Sequence, residues 1–367
     1  MSTVVFYISG HGFGHASRQI QVIHALVQKC PATRIVVKTS TPKWFFTHSG
    51  LKGLEIDPIQ TDTGVTQTDS LHIDVNQSIK QADTFYKSIE HLAQTEAADL
   101  RTRRASLVVG DIPPLACLAG ARAAVPTVAI GNFTWDWIYA SYQETYKYAP
   151  DLVAKLESAY ETATVGWRLP LHGGFAAIKH VVDVPMIARR STQQPEATKN
   201  KLGLPENRKL VLLAFGRYGT GKIDWKQVEQ LFGYHVLVTA DAYPSSEAIN
   251  RASTTFTERS LTLKGLTYTD LVAAADIVVT KPGFGMLSEC AANDTAMLYT
   301  DRGRFPEYSV LTAGMPSLIR SKHIDQKALF AGQWQTHLDN LLAQPRPKSV
   351  NLEGAVIIAE KLAQILS

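Results

Sequence analysis

Two histidines stand in a glycine-rich loop near the start of the chain. The loop reads GHGFGHASR from Gly10, after an apolar run that predicts a buried strand and before a segment of helical period. Glycines at such a junction let the backbone approach a ligand, and helix N-terminal N–H groups can bind an anion or a hydroxyl. We call the hydroxyl-bearing molecule expected at this loop the acceptor. The residues predicted to contact it are Gly10, His11, Gly12, Phe13 and Gly14.

This loop differs from the dinucleotide-binding fingerprint GxGxxG. Its sixth position is His15, where close helix packing needs glycine, and no clear acidic ribose ligand follows about 20 residues on. An ordinary surface loop with two histidines is the alternative interpretation. The pair of histidines favours a functional loop.

Asp111 is the predicted partner of His15. It ends the apolar run SLVVGD (106–111), with one residue between it and Pro113-Pro114. In a doubly wound domain the carboxyl ends of strands share one rim, so Asp111 can orient His15. Such a couple fixes the imidazole tautomer and suits removal of a proton from a hydroxyl. Capping of the following helix is the alternative role for Asp111.

The segment TKPGFGMLSE (280–289) combines a strand end, a glycine turn and a helix start. Its glycines leave helix N-terminal N–H groups for a diphosphate, and a lysine adds positive charge. Glu289, one turn into the helix, can accept hydrogen bonds from ribose hydroxyls. A structural turn with a surface glutamate is the alternative. We call the diphosphate- and ribose-bearing molecule expected here the donor. The residues predicted to bind it are Lys281, Gly283, Phe284, Gly285, Met286 and Glu289.

Two further segments carry weaker signals for an anionic ligand. GRYGTGK (216–222) fits the spacing of a P-loop, but Ile223 stands where magnesium binding needs Ser or Thr, which argues against an ATPase. We predict instead that Gly216 and Arg217 line the donor site. In TDRGRFPEY (300–308), Arg302, Arg304 and Glu307 can hold phosphate and sugar hydroxyls, although a charged loop explains them equally well.

An aromatic run, NFTWDWIYASYQETYKY (132–148), follows another predicted strand. Trp135 and Trp137 are predicted to form a stacking platform for the acceptor. Burial of the run in the core is the alternative.

The elements that position these residues alternate between short β-branched runs and helical segments, which is typical of βαβ units. We predict an α/β protein with two Rossmann-like, doubly wound domains facing across a cleft. The expected divisions are 1–187 (acceptor and catalytic domain), 188–207 (polar linker), 208–352 (donor domain) and 353–367 (C-terminal helix). The expected strands are 4–9, 34–39, 106–111, 126–130, 209–216, 235–240, 276–283 and 297–301, and the expected helices are 16–29, 78–98, 113–123 and 354–366.

Composition excludes several classes of protein. At 367 residues the chain is long enough for two cores, and 45% hydrophobic with 19% charged residues is not a disordered composition. A net charge of +4 without basic blocks makes nucleic-acid binding an unlikely role. The three cysteines are too dispersed for a disulfide framework, and no leader or membrane span is expected, so we predict a cytoplasmic protein.

GHGFGHASR, VVGDIPPLA, IGNFTWDWIYASY, RLPLHGGF, VVDVP and KPGFGMLSE occur in this order along the chain. With these motifs the chain resembles the glycosyltransferase-like N-terminal region of L-arabinokinases and its bacterial stand-alone relatives. More distantly, its C-terminal half resembles GT-B enzymes of the monogalactosyldiacylglycerol synthase and peptidoglycan N-acetylglucosaminyltransferase type. Phe284 replaces the second glycine of their KPGG pair, and their acidic residue–Gln pair reads Glu307-Tyr308.

The resemblance implies a GT-B fold and an inverting, metal-independent transfer of a hexose or pentose from a UDP-sugar to a hydroxyl. It implies His15 as the base, Asp111 as its partner, Gly283 and Gly285 at the diphosphate and Glu289 at the ribose. No cofactor is expected, the nucleotide sugar being a co-substrate. A UDP-sugar epimerase or hydrolase, and a non-catalytic sugar-nucleotide-binding module, remain the alternatives.

Overall fold

The computed structural model describes residues 2–216, 223–239 and 253–367 of the chain. They form two compact units. The first unit comprises Met1–Thr66, Asp74–Ala188 and Asn351–Ser367, and the second comprises Gln67–Ile73 and Arg189–Val350. Among the described residues, no helix combines the length and the apolar character needed to cross a membrane.

A seven-stranded parallel sheet forms the centre of the first unit. Its strands are β1 (Thr3–Ile8), β2 (Arg34–Thr39), β3 (Glu55–Pro58), β4 (Ala105–Asp111), β5 (Thr127–Phe133), β6 (Val165–Gly173) and β7 (Val181–Asp183). Their order is β3-β2-β1-β4-β5-β6-β7. β1 is buried along its whole length, as expected for a parallel strand covered on both faces.

Helices cover the two faces of this sheet. They are α1 (Phe13–Lys29), α2 (Lys43–Thr47), α3 (Val75–Lys87), α4 (Ile89–Thr102), α5 (Pro114–Ala123), α6 (Trp135–Ala140), α7 (Gln143–Tyr148) and α8 (Leu152–Tyr160). The expected helix 78–98 is two helices that meet at Ser88. The Ser88 hydroxyl donates to the Phe85 carbonyl at 2.8 Å, a local bond that competes with the helical pattern.

The second unit repeats this architecture with six parallel strands. They are β8 (Lys209–Ala214), β9 (Tyr234–Thr239), β10 (Ser253–Phe256), β11 (Ile277–Thr280), β12 (Ala296–Tyr299) and β13 (Ser321–His323). Their order is β10-β9-β8-β11-β12-β13. In both units the chain moves from the first strand out to one edge and returns to the other side, which is the Rossmann-like order and confirms the predicted fold class.

The helices of the second unit are α9 (Pro195–Leu202), α10 (Trp225–Val228), α11 (Glu258–Leu263), α12 (Tyr268–Ala274), α13 (Phe284–Asn293), α14 (Glu307–Gly314), α15 (Gln326–Phe330) and α16 (Gln335–Leu342). Part of the expected linker 188–207 is therefore helical. Pro195 at the first position of α9 and Gly203 in the left-handed region after its end account for a helix within this polar stretch.

The last helix, α17 (Gly354–Leu366), belongs to the first unit although it follows the second unit in sequence. Ile358 and Leu362 share the core of that unit with Ile20 and Ile23 of α1. The apolar stripe that predicted this helix is thus the face by which it packs.

Candidate active site

His15 and Asp111 lie at the carboxyl edge of the first sheet. Asp111 ends β4 and is paired in register with Ile8, the last residue of β1. The loop after β1 reaches Gly12, and α1 begins at Phe13, so His15 is in the first turn of that helix. β1 and β4 are the strands at which the strand order reverses, where doubly wound folds bind ligands.

The two side chains are hydrogen bonded. Nδ1 of His15 lies 2.8 Å from Oδ1 of Asp111, and both residues are buried. Burial alone would raise the pKa of Asp111, but the charge and hydrogen bonds of Arg18, followed by those of His15, lower this pKa to about 2. An ionised carboxylate only accepts hydrogen bonds, so Nδ1 of His15 carries the proton. In the neutral imidazole, Nε2 is then a proton acceptor.

Two further side chains donate hydrogen bonds to Asp111. Arg18 donates from Nε to Oδ2 at 2.6 Å and from Nη2 to Oδ1, and Gln19 donates to Oδ2 at 2.6 Å. Arg18 also donates to the amide oxygen of Asn132 on β5 at 2.5 Å. Arg18, Gln19 and Asn132 were not among the predicted site residues, although Arg18 and Gln19 stand three and four positions after His15 and therefore share its helix face.

The glycines of the first loop differ in their surroundings. A Cβ at Gly10 would lie 1.8 Å from the Ser40 hydroxyl, and Gly12 has φ +75°, which favours glycine. A Cβ added at Gly12 or Gly14 would meet no described atom within 4 Å. Phe13 between them is 43% exposed. The loop is therefore open beside Gly12 and Gly14, while the ring of Phe13 stacks on Phe45 with centroids 4.8 Å apart.

His11 is packed within the first unit. Its ring meets Trp135 edge to face with centroids 5.6 Å apart, and the Val65 N–H donates to its Nδ1 at 3.4 Å. A Cβ at Gly64 would lie 2.5 Å from that nitrogen, so Gly64 gives His11 its space. The Asp62 carboxylate accepts from the Trp135 indole at 2.9 Å, and burial raises the pKa of Asp62.

Trp135 lies in the core, which is the alternative interpretation of the aromatic run. It is 1% exposed and bound to Asp62, so it offers no stacking face to an acceptor. Trp137 is partly buried, and a Cβ on Gly173 would lie 2.4 Å from its ring. At Trp135 and Trp137 the aromatic side chains therefore contribute to packing within the first unit.

The predicted donor residues of the second unit follow neighbouring strands. Thr280 at the end of β11 is in register with Ala214 of β8 and with Tyr299 of β12. Gly216 and Lys281 follow β8 and β11, which are the strands at which the order reverses in this unit. Arg217 lies outside the described residues.

The N-terminus of α13 has no side-chain cap. Gly283 is its N-cap residue, and an added Cβ there would meet no described atom within 4 Å. The first helical hydrogen bond runs from the Leu287 N–H to the Gly283 carbonyl at 3.0 Å, so the N–H groups of Gly285 and Met286 have no partner within the helix. Phe284 is partly buried beside them.

Positive charge gathers near this turn. Burial, followed by the charge of Arg302, lowers the pKa of Lys281 to about 8. Arg302 donates to the Pro282 carbonyl at 3.3 Å and to Glu307 at 2.8 Å. Glu307 is buried in this pair, and its contact with a donor sugar stays a prediction. Arg304 is exposed on the same loop.

Glu289 is a buried residue rather than a surface glutamate. Arg189 donates to its Oε1 from Nε at 2.8 Å, and burial raises the pKa of Glu289 against the opposing charge of Arg189. Its Oε2 is buried and accepts no hydrogen bond from the described residues. One acceptor oxygen of Glu289 is therefore without a hydrogen-bond partner among the described residues.

Arg18→Met is expected to lower the free energy of unfolding by about 3–5 kcal/mol, because removing one partner of a buried ion pair leaves Asp111 uncompensated. Urea unfolding at neutral pH measures this loss. The matched control is Arg168→Met, whose partner Asp183 is 70% exposed and whose loss should stay below about 1 kcal/mol. Equal losses in the two variants would contradict the role of Arg18.

The acid dependence of stability gives a second readout for Arg18. The folded pKa of Asp111, about 2, lies below the model-compound value of 3.8, so its ionisation stabilises the fold above the unfolded pKa. This contribution to the free energy of unfolding, about 2 kcal/mol, is lost as the pH falls from the unfolded value of 3.8 through the folded pKa of about 2. In Arg18→Met the acid-linked loss should shrink.

The chain is similar to known proteins in sequence and in fold. No family model matches the chain. An L-arabinokinase of Arabidopsis thaliana is 28% identical over 366 residues, which is 98% of this chain and 34% of that protein, so the chain spans about a third of its relative's length. This likeness agrees with the resemblance drawn from the motifs.

Solved glycosyltransferases share the architecture at low sequence identity. The glycosyltransferase of kitacinnamycin has a TM-score of 0.62 and 15% identity, with 99% of this chain and 93% of that one covered. The spinosyn rhamnosyltransferase SpnG, complexed with thymidine diphosphate, has a TM-score of 0.58 and 12% identity, with 100% and 96% covered. The chain therefore has the GT-B fold, as its motifs predict.

Proposed function

We propose that the chain is a glycosyltransferase that moves a sugar from a nucleotide sugar to an acceptor hydroxyl, with inversion at the anomeric carbon. The observation that supports this most directly is the buried His15–Asp111 pair at the carboxyl edge of the first sheet. A positioned imidazole with a neutral Nε2 is suited to take a proton from a hydroxyl. The fold supplies the context, since the GT-B chains compared above are glycosyltransferases.

The transfer begins with the acceptor hydroxyl held near His15. Nε2 takes the hydroxyl proton as the oxygen attacks the anomeric carbon, and the bond from that carbon to the diphosphate oxygen breaks. Asp111 stabilises the resulting imidazolium through Nδ1–H. The open loop around Phe13 is the proposed acceptor contact.

The second unit is the proposed donor-binding unit. The N–H groups of Gly285 and Met286 at the start of α13 suit a diphosphate, and Lys281 adds a positive charge. These groups stabilise the leaving diphosphate electrostatically, so the proposed mechanism does not require a metal ion. Glu289 Oε2 is the proposed acceptor for a ribose hydroxyl.

The base of the nucleotide is proposed from the resemblance. UDP is the nucleotide used by the enzymes that the C-terminal motifs resemble, whereas SpnG has been solved with thymidine diphosphate. Both nucleotides are therefore probes for binding. The three cysteines form no disulfide, and we propose a reducing, cytoplasmic setting for the protein.

His15→Ala is expected to lower turnover at least about a hundredfold, since a positioned general base contributes about 10² to 10⁴. Affinity for the nucleotide sugar should be unchanged, because its proposed contacts lie in the second unit. The measurements are product formation with an acceptor panel and calorimetry with UDP-sugars and thymidine diphosphate sugars.

His24→Ala is the matched control for this variant. His24 lies on the same helix, where its Nε2 contacts the Ser49 carbonyl at 2.9 Å, and this variant should retain activity. Full activity of His15→Ala would rule out its role as the base. Donor consumption without any acceptor would identify a hydrolase or epimerase, and binding without turnover would identify a binding module.

Affinity for a nucleotide sugar is expected to fall as the pH rises from roughly 7 to 9. Lys281 has a pKa of about 8, so its ammonium loses a proton and its positive charge across this window. Calorimetry with UDP-glucose over this range measures the effect.

Lys281→Met gives the comparison for the pH series. Its affinity should be low at neutral pH and change little with pH, because methionine has the shape of lysine without the charge. A wild-type affinity that stays constant through pH 8 would show that Lys281 does not bind the diphosphate.

A further inference from the structure

Residues 67–73 form a hairpin that belongs to the second unit, although the residues on either side belong to the first. Gln67 and Ile73 form an antiparallel bridge, and the Thr68 N–H donates to the His72 carbonyl at 3.1 Å. Leu71 is buried in the core of the second unit with Phe215 and Val279. We call this segment the 67–73 hairpin.

The 67–73 hairpin lies at the carboxyl edge of the second sheet. After β8, the Ser70 hydroxyl donates to the Phe215 carbonyl at 2.7 Å. After β12, a Cβ on Gly303 would lie only 2.9 Å from the Leu71 carbonyl oxygen, and Gly303 has φ +56°. After β11, Lys281 interacts with the charge of Asp69. The hairpin thus borders the crevice where this fold binds ligands.

Two polar side chains of the 67–73 hairpin remain half exposed there. Asp69 is 53% and His72 55% exposed. Asp69 Oδ1 accepts from the N–H groups of Leu71 and His72 at 2.6 and 2.9 Å, and the His72 ring nitrogen Nδ1 lies 2.9 Å from Oδ2. The ionised carboxylate holds Nδ1 as a donor, so Nε2 of neutral His72 is an acceptor. The pair therefore presents oriented acceptors to hydroxyl groups.

Glu307, unlike Asp69 and His72, is buried and already has a charged partner within the second unit. That glutamate is the acidic residue that the motif placed at the sugar, yet it is buried against Arg302. A second exposed pair, Asp301 and His323, follows β12 and lies at the edge strand β13, and Asp301 also accepts from the Tyr308 hydroxyl at 3.0 Å. The 67–73 hairpin, in contrast, is hydrogen bonded to the Phe215 carbonyl after β8, one of the two central strands at which the strand order reverses.

We infer that Asp69 and His72 hydrogen-bond hydroxyl groups of the donor's sugar and help to determine which sugar is accepted. This inference rests on the proposed transferase function. The negative charge of Asp69 favours a neutral sugar over the diphosphate, whose charge it would repel. Asp69 acts both directly, through its carboxylate, and by orienting His72.

The test compares binding of UDP with binding of UDP-glucose, UDP-galactose and UDP-xylose by calorimetry. For His72→Ala and Asp69→Asn we expect the affinity of the preferred UDP-sugar to fall about tenfold, or about 1.4 kcal/mol, while UDP binds as to the wild type. His323→Ala is the matched control, since it removes an imidazole bound to an exposed aspartate on the same unit. Thermal melting of each variant checks that the 67–73 hairpin remains folded.

Three outcomes of this test would overturn the inference. Equal losses for UDP and the UDP-sugar would place the contact at the diphosphate and overturn the inference. So would an unchanged UDP-sugar affinity in both hairpin variants, or an equal loss in His323→Ala. If the wild type binds no nucleotide sugar, the proposed function itself fails, which differs from selective failure in the hairpin variants.

Discussion

The buried carboxylate of Asp111 is the charge around which the first unit's site is organised. A lone carboxylate in that position would be strongly unfavourable, so its ionisation depends on Arg18, Gln19 and His15 donating to it. The same hydrogen bonds that neutralise Asp111 hold the imidazole in one tautomer. The stability of this region and the proposed proton transfer therefore depend on the same cluster of side chains.

Parallel sheets explain why residues far apart in sequence meet in each unit. β1 and β4 are neighbours, as are β8 and β11, and in each pair the chain leaves the strands in opposite directions along the sheet. The carboxyl ends of these strands create a crevice that backbone packing does not fill. In the first unit that edge holds the His15–Asp111 pair, and in the second it holds a helix N-terminus with a lysine.

Much of the fold was predictable because buried parallel strands are short continuous apolar runs, and each of the expected strands overlaps an observed one. The pairing of His15 with Asp111 followed from the shared strand edge. Burial of Trp135 was one of two alternatives, and the pairing of Glu307 with Arg302 was not predicted, because both depend on which side chains lie opposite in three dimensions. No sequence pattern predicted the 67–73 hairpin, because its place in the second unit depends on long-range packing of Leu71.

The packing of α17 against α1 has a consequence for how the protein is made. The second unit is contained in Gln67–Val350, whereas the first is closed only by Asn351–Ser367. During synthesis, the second unit is therefore complete in sequence before the first. Until α17 emerges from the ribosome, the apolar face of α1, including Ile20 and Ile23, lacks the helix that packs on it. The helix that carries His15 thus completes its packing only after the whole second unit has been synthesised, which reverses the usual N-terminal-first order of domain folding.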